Sequence, residues 1–143
     1  MKKLFGFMMV AIISICLTGC VHFNNTITCT QIEDDEKMVV TVTTDKNDKI
    51  IGVKMTAEMT APSKEELDEG YSYLKDEIDS MNKYAGVRGS IKKKGLTVSM
   101  TINLDLNKVS DETLEILDFD KEDLNVTGTE FRKIAEEDGA TCK

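Results

Sequence analysis

The sequence predicts an α+β fold: an antiparallel β-sheet of about five strands, with one long helix and two shorter helices packed on one face. Three observations carry that expectation. Apolar and polar residues alternate with period two over residues 27–59 and again over 96–106. Between those stretches, apolar residues recur every three or four positions, which is the period of a helix. Read in order, the segments run β-β-β-α-β-β-α-α, with strands that follow one another through short turns, the arrangement of an antiparallel sheet with segregated helices.

Residues 27–32 alternate apolar or cysteine positions with polar ones and form the first strand, followed by the charged turn Glu33-Asp34-Asp35-Glu36. Met38, Val40 and Val42 then alternate with Val39, Thr41 and Thr43, a β-branched strand with one apolar face. Asp45-Lys46-Asn47-Asp48 is a turn cluster. Beyond it, Ile51, Val53, Met55, Ala57 and Met59 share one face, and Lys54, Thr56 and Glu58 the other.

Pro62 ends the strand pattern. Ser63-Lys64-Glu65-Glu66 fits a capping box, in which serine and Glu66 satisfy each other's free backbone amides. Leu67, Tyr71, Leu74, Ile78 and Met81 make one stripe of a helix of about twenty residues, with Asp68, Glu69, Lys75, Asp76 and Asp79 on its solvated side. Tyr84-Ala85-Gly86 closes it, the glycine supplying a left-handed cap. Residues 87–93 and 96–106 form a hairpin turning at Lys94-Gly95. Its second arm points Leu96, Val98, Met100, Ile102, Leu104 and Leu106 inward, and a one-residue slip would expose them all. A short helix starts at Ser110, with Asp111 and Glu112 favourable in its first turn. Thr127-Gly128-Thr129-Glu130 is a second capping box, before a helix that carries Phe131, Ile134 and Ala135 and ends at Gly139.

Ahead of this domain, Lys2 and Lys3 precede an apolar run over residues 4–17, interrupted by Gly6 and Ser14. The run is shorter than the roughly 20 residues a membrane-spanning helix needs and has the layout of a secretory signal peptide. It ends in Leu17-Thr18-Gly19-Cys20, which closely resembles the lipobox of bacterial lipoproteins. The resemblance implies that residues 1–19 are removed and that Cys20 is acylated as the new first residue. It also implies anchoring at the outer face of the bacterial cell membrane, or of an outer membrane where one exists. The expected organisation is a signal peptide over 1–19, a lipidated cysteine and short tether over 20–27, and a single α+β domain over 28–143.

Lipidation accounts for two of the four cysteines, since Cys16 lies in the discarded segment and Cys20 carries lipid. Cys29 and Cys142 remain, and leftover cysteines of an exported domain usually pair. Thr28-Cys29-Thr30 has β character, and Thr141-Cys142-Lys143 can add a short last strand beside it. Closing so long a loop stabilises by roughly 4 to 5 kcal/mol in the chain-entropy model, less any strain. The alternative is two free thiols in redox chemistry, but there is no C-x-x-C and no histidine near either in sequence.

Composition narrows the function classes. The chain has 143 residues and a net charge of −8; Lys2 and Lys3 are the only charges in residues 1–19, so their removal takes the balance to −10. That balance disfavours nucleic acid and anionic lipid headgroups as partners, because both need basic surface. His22 is the only histidine and sits in the tether. A His-based zinc site, a Ser-His-Asp triad and a Cys-His pair within the domain are thereby excluded. Asp118, Asp120 and Glu122 alternate like the first ligands of a calcium loop, but Asp123 stands where glycine is needed and Thr129 where glutamate is needed. Asp45, Asn47 and Lys49 fail sooner, so both stretches read as solvated acidic turns. Lys92-Lys93-Lys94, with Arg88 nearby, is the one basic run; three lysines fall short of the four to eight of a lipid-binding cluster and read instead as protection of a strand edge. No metal or other cofactor is expected.

A short lipoprotein signal followed by this order of elements is similar to the YehR-like family of small bacterial lipoproteins. The resemblance runs from Cys20 to the C-terminus. It rests on the strand meander, the long helix followed by Tyr84-Ala85-Gly86-Val87, the strand over 96–106, Lys108-Val109-Ser110, and the ending Gly139-Ala140-Thr141-Cys142-Lys143. The family is one of unknown function, so the resemblance implies a single α+β domain and lends no active-site residues. The function expected is a non-catalytic binding or accessory domain at the cell envelope, recognising a protein or a small ligand beside the membrane. Two alternatives stand beside it: a carboxylate-dependent envelope hydrolase, which needs two acidic side chains facing across a cleft, and a small solute-binding component of a transporter. Convergent acids in a deep pocket favour the enzyme; a broad exposed apolar patch favours the binding module.

Overall fold

A computed structural model describes residues 25–34, 36–119 and 124–143. Cys16, Cys20 and His22, and Asp120, Glu122 and Asp123 of the acidic stretch, lie outside them. Six strands form one antiparallel sheet: β1 (Asn25–Glu33), β2 (Glu36–Thr44), β3 (Ile50–Thr60), β4 (Val87–Lys94), β5 (Thr97–Asp105) and β6 (Thr141–Cys142), in the order β4-β5-β3-β2-β1-β6. Among the described residues three helices accompany it: α1 (Lys64–Met81), α2 (Asp111–Ile116) and α3 (Gly128–Glu137). The sixth strand is the two-residue β6 beside Cys29, and β1 opens at Asn25, two residues before its apolar alternation begins.

The meander β1-β2-β3 buries Cys29, Val40, Val42, Val53, Met55 and Ala57 on one face, together with Ile102 and Leu104 of β5 and Val87 of β4. Ile78 of α1 and Phe131 and Ala135 of α3 complete this core, so α1 and α3 cover one face of the sheet. The chain leaves β3 through α1, forms β4 at the sheet edge, and returns through β5 into the place beside β3. The new edge is partly closed: the Asn82 side chain donates to the Gly89 carbonyl at 2.9 Å and accepts from its N–H at 2.6 Å. An amide side chain thus pairs with strand backbone that would otherwise invite another strand.

The local signals are realised closely. Ser63 caps α1 by accepting from the Glu66 N–H at 3.2 Å, and the reciprocal half of that box is replaced by a side-chain contact between Ser63 Oγ and Glu66 Oε1 at 3.4 Å. Ser110 caps α2 in the same manner. At α3 both halves of the box form, Thr127 accepting from the Glu130 N–H and Glu130 accepting from the Thr127 N–H. The close of α1 is a correction: the helix ends at Met81 with Asn82 as a right-handed cap. Gly86, at φ 80°, instead shapes the turn into β4, where a Cβ would lie 2.7 Å from the Val109 nitrogen, so both conformation and space demand glycine.

Three side-chain expectations are corrected. A register shift at Thr43/Thr44 pairs Thr44 with Ile50 and Thr43 with Gly52, so Ile50 becomes fully buried and Ile51 is left half-buried at the irregularity. One extra residue at a strand end moves the apolar face by one position. Leu96 is 41 % exposed because it is itself the second residue of the two-residue turn, Gly95-Leu96, between the paired Lys94 and Thr97. Ile134 is 38 % exposed, since Phe131 and Ala135 already fill the narrow stripe by which α3 meets the sheet.

Candidate functional site

The two cysteines left for pairing are joined. Cys29 of β1 and Cys142 of β6 stand directly opposite in register, with Cα atoms 4.0 Å apart and an S–S bond of 2.02 Å. Thr28 and Lys143, the next pair, exchange both backbone hydrogen bonds at 3.0 and 2.8 Å, which sets the disulfide in a non-hydrogen-bonded position where side chains lie closest. The bridge faces the core, with Cys29 buried, and is a structural staple that ties the C-terminus to β1. A shallow apolar depression lies beside it, lined by Cys29, Met38, Val40, Phe131 and Ala135.

Among the described residues, the carboxylates with displaced pKa values, Asp48, Asp68 and Glu130, are engaged at the start of a helix or in an ion pair. Asp48, at φ 62° in the β2–β3 turn, accepts from the Thr129 hydroxyl at 2.7 Å and from the Thr129 N–H at 3.0 Å, which hold its pKa below the usual carboxylate value. Its carbonyl accepts from the Gly128 N–H, so this turn clamps the start of α3. Glu130 is likewise lowered by the Thr127 backbone and hydroxyl. Asp68 is lowered by Lys93, which pairs with it at 2.6 Å and sits 4.8 Å from the Tyr71 ring centre. The Asp45 carboxylate accepts from the Asn47 and Lys49 N–H groups, an ordinary turn. Among the described residues no three His, Cys, Asp or Glu side chains group as a metal site would.

The open face of the sheet has a chemistry of its own. Strand register places in adjoining rows Arg88, Asn103, Lys54, Thr41 and Thr28; then Ser90, Thr101, Thr56, Val39, Thr30 and Thr141; then Lys92, Ser99, Glu58, Lys37 and Ile32. Hydroxyls pair across it: Thr28 with Thr41 at 2.8 Å, Thr56 with Thr101 at 3.2 Å, Thr60 with Thr97 at 3.4 Å. Lys37, Lys54, Arg88, Lys92 and Lys94 occupy this face, with Lys143 in register with Thr28, against Glu58 and Asp105. Glu58 and Asp105 are themselves paired, with Lys37 at 3.9 Å and Lys108 at 2.6 Å. The helices are the reverse, carrying thirteen acidic residues and four basic ones.

The basic run of the sequence is thus divided by the strand period. Lys93 turns to the helix side and pairs with Asp68, while Lys92 and Lys94 join the open face. What sequence reasoning missed is the company they meet there, because Lys37, Lys54 and Arg88 arrive from other strands. The signal was present as basic residues at the polar positions of three separate strands, but it has meaning only once register is known.

No family model matches the chain, and no curated protein matches it. Two solved structures resemble it. An NMR structure of a protein from Streptococcus pneumoniae TIGR4 superposes with a TM-score of 0.63 at 13 % identity, covering 91 % of this chain and 92 % of that one. The NMR structure of the Escherichia coli YehR protein superposes with a TM-score of 0.67 at 14 % identity, covering 85 % of this chain and 91 % of that one. The chain therefore has a YehR-like fold, in agreement with the fold that its element order and C-terminal pattern imply.

Proposed function

We propose that this chain is a bacterial lipoprotein, anchored through an acyl group on Cys20 to the outer face of a membrane, whose single domain serves as a non-catalytic binding or accessory module. The observation that carries the reading is the lipobox-like Leu17-Thr18-Gly19-Cys20 set so close to the domain: only residues 21–24 separate Cys20 from the first strand. The Cys29–Cys142 bridge supports export, since such bonds persist in oxidising compartments. The domain offers a broad polar sheet face, a surface suited to binding, while its shifted carboxylates are spent on caps and ion pairs.

Metabolic labelling of the expressing bacterium with an alkyne fatty acid tests the anchor. The chain is expected to take up label and sediment with membranes, and Cys20→Ala to abolish both; label that survives this substitution overturns the reading. Crosslinking on intact cells followed by capture then identifies what the domain binds.

A further inference from the structure

We infer that the open sheet face lies against an anionic phospholipid surface, with the acidic helices turned away from it. Two independent features of the chain lead there. The first is charge: Lys37, Lys54, Arg88, Lys92, Lys94 and Lys143 share one face of the sheet. Adjacent strands lie about 4.8 Å apart and alternate residues about 6.8 Å apart, so the patch measures on the order of 20 Å across. Glu58 and Asp105 share the face, which leaves an excess of four basic residues, the lower end of the range of four to eight read as binding anionic headgroups. Lys54, Arg88, Lys92 and Lys94 have no carboxylate partner among the described residues. Ile32, 69 % exposed on the same face, adds an apolar side chain at its margin.

The second feature is tether length, and here the inference rests on the proposed anchor. Five peptide steps from Cys20 to Asn25 reach at most about 17 Å. The tether therefore keeps the domain within about 17 Å of the bilayer, close enough for one of its faces to rest on the headgroups. The helices on the opposite face, α1 and α3, carry ten acidic residues against four basic and are repelled by an anionic surface. Net negative charge does not defeat the attraction of the opposite side: a helix is about 10 to 12 Å across, so its outer charges lie more than one Debye length, about 8 Å at physiological salt, behind the sheet.

The test uses the chain from residue 20 onward with Cys20→Ser, so that no acyl group contributes and a failed anchor cannot be mistaken for a failed face. It is mixed with vesicles of phosphatidylcholine alone or with 30 % phosphatidylglycerol, and binding is measured by sedimentation. Binding is expected only to the anionic vesicles and is expected to weaken as salt rises. Neutralising Lys54, Arg88 and Lys92 together (K54Q, R88Q, K92Q) is expected to weaken partition by on the order of a hundredfold, from about fivefold per basic residue. The matched helix-side set K64Q, K75Q, K133Q makes the same change in net charge and is expected to alter binding less than twofold. Urea midpoints equal to the parent confirm that both sets fold. Equal effects of the two sets, or equal binding to neutral vesicles, overturns the inference. So does preferential binding to soluble polyphosphate at equal phosphate concentration, which would make a free polyanion the occupant.

Discussion

The same substitution, glycine to alanine in a helix, is expected to have opposite effects at two positions of this protein. Gly70 lies in α1 with nothing within 4 Å of the position a Cβ would take. Gly70→Ala should therefore gain the intrinsic helix preference alone, about 0.8 to 1 kcal/mol. Gly128 opens α3 against the sheet, where a Cβ would lie 2.6 Å from Thr44 Cγ2, 2.7 Å from Asp48 Oδ1 and 2.9 Å from Ile27 Cδ1. Thr44 is fully buried and cannot swing aside, and Asp48 is held by Thr129. Overpacking of this kind costs about 1 to 3 kcal/mol, and up to about 1 kcal/mol of helix preference offsets it. The net expectation for Gly128→Ala is a loss of about 1 to 2 kcal/mol, with retreat of α3 from β1 and β2. Urea unfolding of both variants, analysed at a common m-value, reads these differences directly. Thermal midpoints should move by about 4 °C per kcal/mol, upward for Gly70→Ala and downward for Gly128→Ala. A Gly128→Ala protein as stable as the parent would show that α3 is not seated against Thr44 and Asp48 as described.

Further expectations concern the staple, the core and the acid limb. Replacing Cys29 and Cys142 together by alanine should cost about 3 to 4 kcal/mol, because the bridge closes a separation of 113 residues; a reductant should bring the parent to the same urea midpoint, and no response to reductant would contradict a formed bond. The Thr44 hydroxyl is buried without a hydrogen-bond partner among the described residues, so Thr44→Val should stabilise by about 1 kcal/mol, and a loss of stability on calorimetry would reveal a partner. Asp48 and Glu130 have folded-state pKa values below their ordinary ones. Their contribution is therefore present above about pH 4 to 4.5 and is lost as pH falls through the lowered folded values. Asp48→Asn should flatten the decline in urea midpoint between pH 5 and pH 3; an unchanged slope would rule out Asp48 as its source.

Much of this protein was legible one residue at a time. The period-two alternation of β2, β3 and β5, the serine and threonine caps and the glycines at 86 and 95 are local signals, acting over two to four residues. Such signals survive without knowledge of the fold because steric and hydrogen-bonding rules act between near neighbours. Cys29 and Cys142 could be matched because they were the two left after the others had uses. The register shift that exchanges Ile50 for Ile51 depends on how a turn closes against its partner strand, and alternation alone does not report it.

The sequence by itself determined the elements, their order and most of the residues that face the core, Ile50, Leu96 and Ile134 excepted. Tertiary structure alone decided that β5 returns beside β3, that β4 takes the edge, and that Asn82 closes part of it. It also decided the distribution of charge. A net charge is a sum over the chain and carries no direction, whereas Lys37, Lys54, Arg88 and Lys92, up to 55 residues apart, become neighbours only when long-range strand pairing sets them in adjoining rows. The acidic total conceals a basic face because the negative residues were concentrated on helices and the positive ones on the uncovered side of the strands.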